Sequence, residues 1–208
     1  MALWLTADLH LGHANIIRYC DRPFVAVQDM DERLVERWNE RVGEEDTVVV
    51  LGDVALGPIQ ASLSLVSRLA GTKLLVAGNH DRCWAGNGAR ARTWHERYLD
   101  AGFTEVRQGT IDLEVAGRPV RAGHFPYEGD SQDEDRFTQH RPRDDGSWLL
   151  HGHVHDRWRQ RGRMINVGVD AWAYRPVHED EVADLLAQGP ADLAPLPPGG
   201  PQEHPAAR

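Results

Sequence analysis

The sequence predicts an α/β fold with its functional groups gathered at the carboxyl ends of the strands. Three observations predict it. Short β-branched runs alternate with helical apolar stripes through the first half of the chain. Each run ends in Asp, His or Asn, residues that ordinary packing does not call for. The same ending recurs after short strands in the second half.

Residues 3–7 read as a short buried strand, 47–51 as a continuous β-branched one, and 73–77 as a third. Between the first two, Met30, Leu34, Trp38 and Val42 recur every four residues and predict a helix over 29–43. Asp29 is its expected N-cap, with Glu32 three residues on as a variant capping box. Ile59, Leu63, Val66 and Leu69 predict a second helix over 59–70, ended by Gly71. This alternation is the pattern of βαβ units with parallel strands. A helix near 90–101 leads into a half of different character: a hairpin of 110–116 with 119–123 turning at Gly117-Arg118, then short strands near 147–151 and 163–167. Residues 128–146 are acidic, polar and aperiodic and read as a surface loop. From 187 the chain is Pro/Gly/Ala-rich, so the expected division is a domain over 1–186 and a disordered tail over 187–208.

The 208 residues suit one domain, and a hydrophobic content of 41% arranged in runs is globular. No apolar stretch approaches the roughly 18 residues of a membrane span, and no secretory signal precedes Asp8, so the cytoplasm is the expected location. The two cysteines, Cys20 and Cys83, lie in no CxxC pair and read as ordinary reduced thiols. A formal charge of -9 argues against a broad nucleic-acid footprint but leaves room for a nucleotide or phosphodiester in a small pocket. Part of that charge is expected to be metal-ligand carboxylate.

The strand ends carry the chemistry. They deliver Asp8-Leu9-His10, Gly52-Asp53, Gly78-Asn79-His80-Asp81, Gly123-His124 and His151-Gly152-His153-Val154-His155 to one edge. Asp and Asn oxygens with His nitrogens suit Mn²⁺, Fe, Co²⁺, Ni²⁺ or Zn²⁺. Seven such ligands are too many for one ion and suit two that share a bridging carboxylate, a clamp for in-line displacement at phosphorus. On an extended segment, residues i and i+2 point the same way, so both members of Asp8-x-His10 and of His153-x-His155 are expected to reach the metals.

The five blocks, in this order over residues 1–170, resemble the calcineurin-like metallophosphoesterase superfamily. Residues 8–24 resemble a subgroup of small bacterial and phage phosphoesterases. The resemblance implies a four-layer αββα sandwich with mixed sheets. It implies that Asp8, His10 and His155 bind one metal, that Asn79, His124 and His153 bind the other, and that Asp53 bridges them. It implies that His80 contacts the phosphoryl oxygens and protonates the leaving group, with Asp81 holding its ring. The reaction so implied is attack on phosphorus by a hydroxide held between two divalent ions, Mn²⁺ favoured. Many relatives carry a small hydroxyl residue where this chain has Gly123.

Other residues admit two readings. His151 either orients a ligand or is a plain strand residue; His13 and Asn15 either touch substrate or cap the next segment. Trp172 and Arg175 either close the pocket or, for the tryptophan, pack in the core. The alternating Arg157, Arg159, Arg161 and Arg163 read as the solvated face of a hairpin, and 128–135 as a solvated acidic loop rather than a third metal site. His95, His140, His178 and His204 have no partner pattern and read as surface. The stretch between Asp81 and His124 is too short for a cap domain, which leaves the site open and favours phosphodiesters, nucleotide or nucleic-acid derived, over small monoesters. The competing function is a non-catalytic metal-binding scaffold for protein interaction on the same fold. A nucleophilic triad lacks its GxSxG elbow, and single-zinc peptidase chemistry lacks HExxH.

Overall fold

The strands of the first half bury both faces, which is why their sequences are continuous apolar runs rather than alternating ones. The computed structural model describes residues 1–198. In chain order the elements are β1 (Leu3–Thr6), α1 (Ala14–Tyr19), α2 (Val27–Asn39), β2 (Thr47–Val50), α3 (Ile59–Ser64), β3 (Thr72–Val76), α4 (Ala89–Asp100) and β4 (Phe103–Arg107). They continue with β5 (Thr110–Val115), β6 (Arg118–Gly123), β7 (Leu149–His151), β8 (Gln160–Gly162), β9 (Met164–Asn166), β10 (Val177–His178), α5 (Glu179–Gln188) and β11 (Ala191–Leu193).

Two mixed sheets result. The first has the order β10-β1-β2-β3-β4, parallel except for β10. The second has the order β11-β8-β9-β7-β6-β5, with parallel pairs only at β6/β7 and β7/β9. Side-chain alternation splits the core in two. Trp4, Val48, Val50 and Leu75 face the α2–α4 side with Met30, Leu34, Trp38, Leu63, Val66 and Tyr98. Leu5, Val49, Leu51 and Val76 face Val120, Leu150 and Ile165 of the second sheet. Helix α5 adds Val182, Leu185 and Leu186 to that second cluster. This is the αββα sandwich that the resemblance implies, with helices on both sides of the paired mixed sheets.

Several expectations are corrected. Helix α2 begins at Val27, two residues earlier than expected, with Ala26 as N-cap and no side-chain cap. Asp29 lies in its first turn, and Glu32 pairs with Arg68 at 2.6 Å instead of closing a capping box. The expected 59–70 helix is α3 followed by a 3-10 turn, Leu65–Arg68. The hairpin turns at Ala116-Gly117, both with positive φ (48° and 75°), one residue before the expected position. Strands β4 and β10 return the second half of the chain to the first sheet, which local pattern did not indicate. His178 is no idle surface residue: its ring accepts from the Asp180 N–H, and the Glu181 side chain accepts from the His178 N–H, a reciprocal cap for α5.

The boundary expected at 187 falls inside α5, and Ala191–Leu193 pairs with β8. The start of the expected tail is therefore part of the domain, because Gln160 and the β8 edge supply partners that composition does not reveal. Leu196 follows, its N–H donating to Ala171 O at 3.0 Å, and residues 199–208, with His204, lie outside the described residues.

Candidate metal centre

Register brings the five sequence blocks together. The β1/β2 pairing extends beyond the strands: the Asp8 N–H donates to Gly52 O and the His10 N–H to Asp53 O, both at 3.0 Å. Val50 opposes Leu75, which carries Asp53 alongside Gly78. In the second sheet Ala122 opposes Leu150, and the Gly152 N–H donates to His124 O at 3.1 Å.

The chain is not extended where these side chains enter the site. Asp8, His10, Asp53, His153 and His155 all lie in the left-handed region, with φ between 51° and 71°. The expectation that i and i+2 meet on an extended segment is thus corrected: the pairs converge through left-handed kinks. Such conformations cost about 1–3 kcal/mol each and persist where surrounding structure over-determines them, typically at functional sites. Asp and His are among the non-glycine residues that tolerate them best. Close approach does the rest. A Cβ on Gly78 would overlap Asp53 Oδ1 and lie 2.7 Å from His124 Nδ1. A Cβ on Gly123 would meet Thr110 Cγ2 at 2.8 Å and Gly109 O at 2.9 Å, so a glycine at this position matches its own neighbours.

The seven expected ligands form one contiguous set. Asp8, His10 and His155 each offer an atom within 4.8 Å of the others, as do Asp8, Asp53 and His124. Asp53 Oδ2 lies 3.7 Å from His10 Nε2 and 3.5 Å from His124 Nε2, between the two halves. Asn79 Oδ1 lies 2.9 Å from His124 Nε2 and 3.0 Å from His153 Nδ1. The outer ring nitrogens are occupied: His124 Nδ1 faces Leu51 O at 2.8 Å, and His153 Nε2 faces Asp130 Oδ2 at 2.9 Å. With protons on those nitrogens, His124 and His153 turn lone pairs toward an oxygen lone pair of Asn79. Asp8 Oδ1, His10 Nε2 and Asp53 Oδ2 are buried without a hydrogen-bond partner among the described residues. Buried acceptors converging on one another fit a cation and little else.

Electrostatics agree. Burial pushes the Asp8 carboxyl up to about 6, against the pull of His155 and His124. Burial drives His10 well below the usual imidazole range and lowers His124. Burial would raise Asp53 too, but the His124 and His80 rings leave it below its ordinary value. His80 is exposed at the rim; its ring centroid lies 5.5 Å from that of His10, and its backbone N–H donates to Asp53 Oδ1 at 2.8 Å. His13 is half-buried beside it, Nδ1 3.3 Å from His10 Nδ1.

Other site expectations need correction. Asp81 does not hold the His80 ring. Its carboxylate accepts from the N–H groups of Asp53, Val54 and Gly78 and from the Tyr98 hydroxyl, tying the second and third blocks together. Arg175 is taken by Glu181 at 2.7 and 2.9 Å and lies against Trp172, which is core. Asn15 needs no such correction: it is exposed in the first turn of α1, two residues from His13. His151 is fully buried and faces the Gly152 carbonyl, and burial pushes it down to about 3; no expected ligand is its hydrogen-bond partner. Arg159 and Arg161 lie over Trp172 and Trp158 in the β8/β9 hairpin region, and Arg157 pairs with Asp133, in keeping with a hairpin face.

Sequence reasoning missed five supporting residues. Buried Arg22 grips Asp170 with two hydrogen bonds of 2.7 and 2.8 Å and donates to the carbonyls of Asp8 and Leu9. Asp170 Oδ2 in turn lies 3.3 Å from His155 Nδ1, as does Cys20 Sγ, so Cys20 is not an idle thiol. Asn166 donates to His155 O and Trp158 O, pinning the loop that carries the last histidines. Asp130, within the supposedly solvated loop, is buried against His153. Arg22 in the 8–24 stretch and Asn166 and Asp170 just beyond the last block were visible as polar residues beside motifs, but nothing local named their partners.

Paired mixed sheets that gather buried carboxylates and imidazoles at one rim define the metallophosphoesterase class of fold. The chain belongs to the calcineurin-like phosphoesterase family, whose model matches residues 1–163. It is 40% identical over 194 residues to the Gene 66 protein of Mycobacterium phage D29, across 88% of this chain and 95% of the phage protein. It is 31% identical over 196 residues to an uncharacterized protein of Methanocaldococcus jannaschii, across 90% of this chain and 92% of that protein. A protein of unknown function from Aquifex aeolicus shares the fold, with a TM-score of 0.66 at 23% identity, over 88% of this chain and 98% of that one. Family membership implies a phosphoesterase that uses divalent metal ions.

Proposed function

We propose that the protein hydrolyses phosphodiesters, nucleotide or nucleic-acid derived, at a dinuclear metal centre. The observation that carries this reading is the set of buried, unpartnered acceptors on Asp8, His10 and Asp53, contiguous with the Asn79, His124 and His153 group. Asp8, His10 and His155 would hold one ion, Asn79, His124 and His153 the other, and Asp53 would serve both. Two divalent ions would supply a water of lowered pKa and neutralise charge on the phosphoryl oxygens. Mn²⁺ is favoured, and the oxygen and nitrogen donors also suit Fe, Ni²⁺, Co²⁺ or Zn²⁺.

The chain's own residues do the rest. His80, exposed and anchored through its backbone to Asp53, stands where it can contact phosphoryl oxygens and give a proton to the leaving oxygen. His13, half-buried at the same rim, contacts the substrate phosphate. Displacement in line, with no protein nucleophile, inverts configuration at phosphorus. An open rim, with His80 exposed and a 3-10 turn, α4, β4 and the β5/β6 hairpin between Asp81 and His124, admits an extended diester. Two free, buried thiols suit the reducing cytoplasm.

The test is turnover of bis-p-nitrophenyl phosphate and p-nitrophenyl phosphate by chelator-stripped protein with Mn²⁺ restored. The diester is expected to turn over faster. His80→Ala is expected to lower kcat about 10²–10⁴-fold, the usual contribution of a general acid. Asp53→Asn is expected to abolish metal-dependent turnover. Faster monoester turnover would reverse the substrate preference. A folded, two-ion protein with no turnover would favour the scaffold function.

A further inference from the structure

The acidic loop is not a solvated bystander. Gln132, Asp133, Glu134 and Asp135 are exposed, yet Asp130 is only 4% exposed. The loop folds around this one carboxylate. Oδ1 accepts from the Gln132 N–H and from Arg136 Nε, both at 3.1 Å, and from Arg136 Nη2 at 2.6 Å. Oδ2 accepts from the Arg136 N–H at 3.1 Å and faces His153 Nε2 at 2.9 Å. Arg141 adds a second positive charge, its Nη2 3.8 Å from Oδ2. Gly129, with φ +87°, abuts the edge of the Trp158 ring, where any Cβ would overlap the ring carbon Cη2. The loop therefore has a seat, and the seat is against the candidate metal centre.

We propose that Asp130 is a positioning residue for His153 and, through it, for one of the two metal ions. This rests on the dinuclear reading given above. An ionised carboxylate at Nε2 holds the ring proton there and leaves the Nδ1 lone pair facing Asn79 Oδ1. The other histidine of the same motif is served the same way. His155 Nδ1 faces Asp170 Oδ2, and Arg22 neutralises that carboxylate as Arg136 and Arg141 neutralise Asp130. Each half of the centre thus has its own arginine-backed carboxylate, one from the fold's core and one from a surface loop. An asparagine at 130 could offer its N–H₂ to Nε2, which would move the ring proton to Nδ1 and remove the donor.

The experiment is calorimetric titration of Mn²⁺ into the full, chelator-stripped chain. Wild type is expected to bind two ions. Asp130→Asn is expected to weaken one of them about 10–100-fold, the usual range for loss of an outer partner of a metal-bound histidine, and to leave the other unchanged. Asp133→Asn, in the same loop but paired only with Arg157, is expected to leave both unchanged. Asp170→Asn is expected to weaken the other ion. Two unaltered affinities in Asp130→Asn, with a lowered melting point of the metal-free protein, would reduce Asp130 to a brace for its loop and overturn the proposal. Should that variant not fold, Arg136→Gln removes two donors to Asp130 from the outside and is expected to weaken the same ion about tenfold; no change there overturns it equally. Wild type that takes up fewer than two ions overturns the dinuclear reading itself, an outcome distinct from two ions that ignore Asp130.

Discussion

Arg22 and Asp170 form a fully buried ion pair that no exposed counter-charge can replace, and it sits directly behind the site: the guanidinium also holds the Asp8 carbonyl, and the carboxylate faces His155. Burial alone would raise the Asp170 carboxyl, but Arg22 and His155 hold it down at about 2. A carboxyl whose folded pKa lies below its ordinary 3.8 contributes stability that is present above about 4 and lost as pH falls toward about 2. Arg22→Met leaves that buried carboxylate with only the His155 ring beside it, and breaking a buried pair in this way costs about 3–5 kcal/mol. Urea unfolding is therefore expected to show that loss at pH 7. The gap between the two proteins is expected to narrow as pH falls toward 2, because Asp170 is already protonated in the variant and becomes increasingly so in the unaltered protein. A gap independent of pH would mean that Arg22 acts through packing alone. The tolerance of Asp and His for left-handed backbone belongs to this scale as well: the ligand residue types are also those that allow five kinks in one small volume.

Elements meet the site through their ends, not their lengths. Strands of three to six residues suffice because register continues past them, as the β1/β2 ladder does through residues 8–11. The β5/β6 hairpin is tight because Gly123 must pass Thr110 and because a two-residue turn closes it. Its first turn residue, Ala116, has φ 48°, a region alanine adopts at a cost of about 1–2 kcal/mol. Asn-Gly is the preferred sequence for such a turn. Ala116→Asn is accordingly expected to stabilise the protein by up to about 1 kcal/mol in urea unfolding, with Mn²⁺ affinity unchanged, since the turn lies at the far end of β6 from His124. A destabilised variant would show that Ala116 is held there by packing.

The whole molecule carries a formal charge of -9, and its centre combines two buried carboxylates with imidazoles whose acceptors point at one another. A molecule so built is expected to be least stable when stripped. Thermal unfolding should shift upward with added Mn²⁺, by about 1.4 kcal/mol of stability for each tenfold excess over Kd. Asp53→Asn is expected to lose most of that shift, because the negative charge that lies between His10 and His124 is gone. A melting point indifferent to divalent ions would contradict a preformed metal centre.

Local sequence signals were enough for the α/β alternation, the apolar stripes of Met30 to Trp38 and Leu63 to Leu69, the five polar strand ends and the residues that compose the candidate centre. Those signals are local: a period of two or of four, or a motif of two to five residues, is written within one turn or one strand. Tertiary structure decided what those residues touch. Arg22 and Asp170 are 148 residues apart, His153 and Asp130 are 23 apart, and β8, β10 and β11 have only two or three residues each, too few to show a period. Asp81 is the clearest case. Its place beside His80 in the sequence suggests a partner for that ring, but the fold turns its carboxylate inward to three backbone N–H groups and a tyrosine hydroxyl. A buried carboxylate must satisfy its acceptors wherever donors converge, and that is fixed by the packing of distant segments rather than by adjacency along the chain.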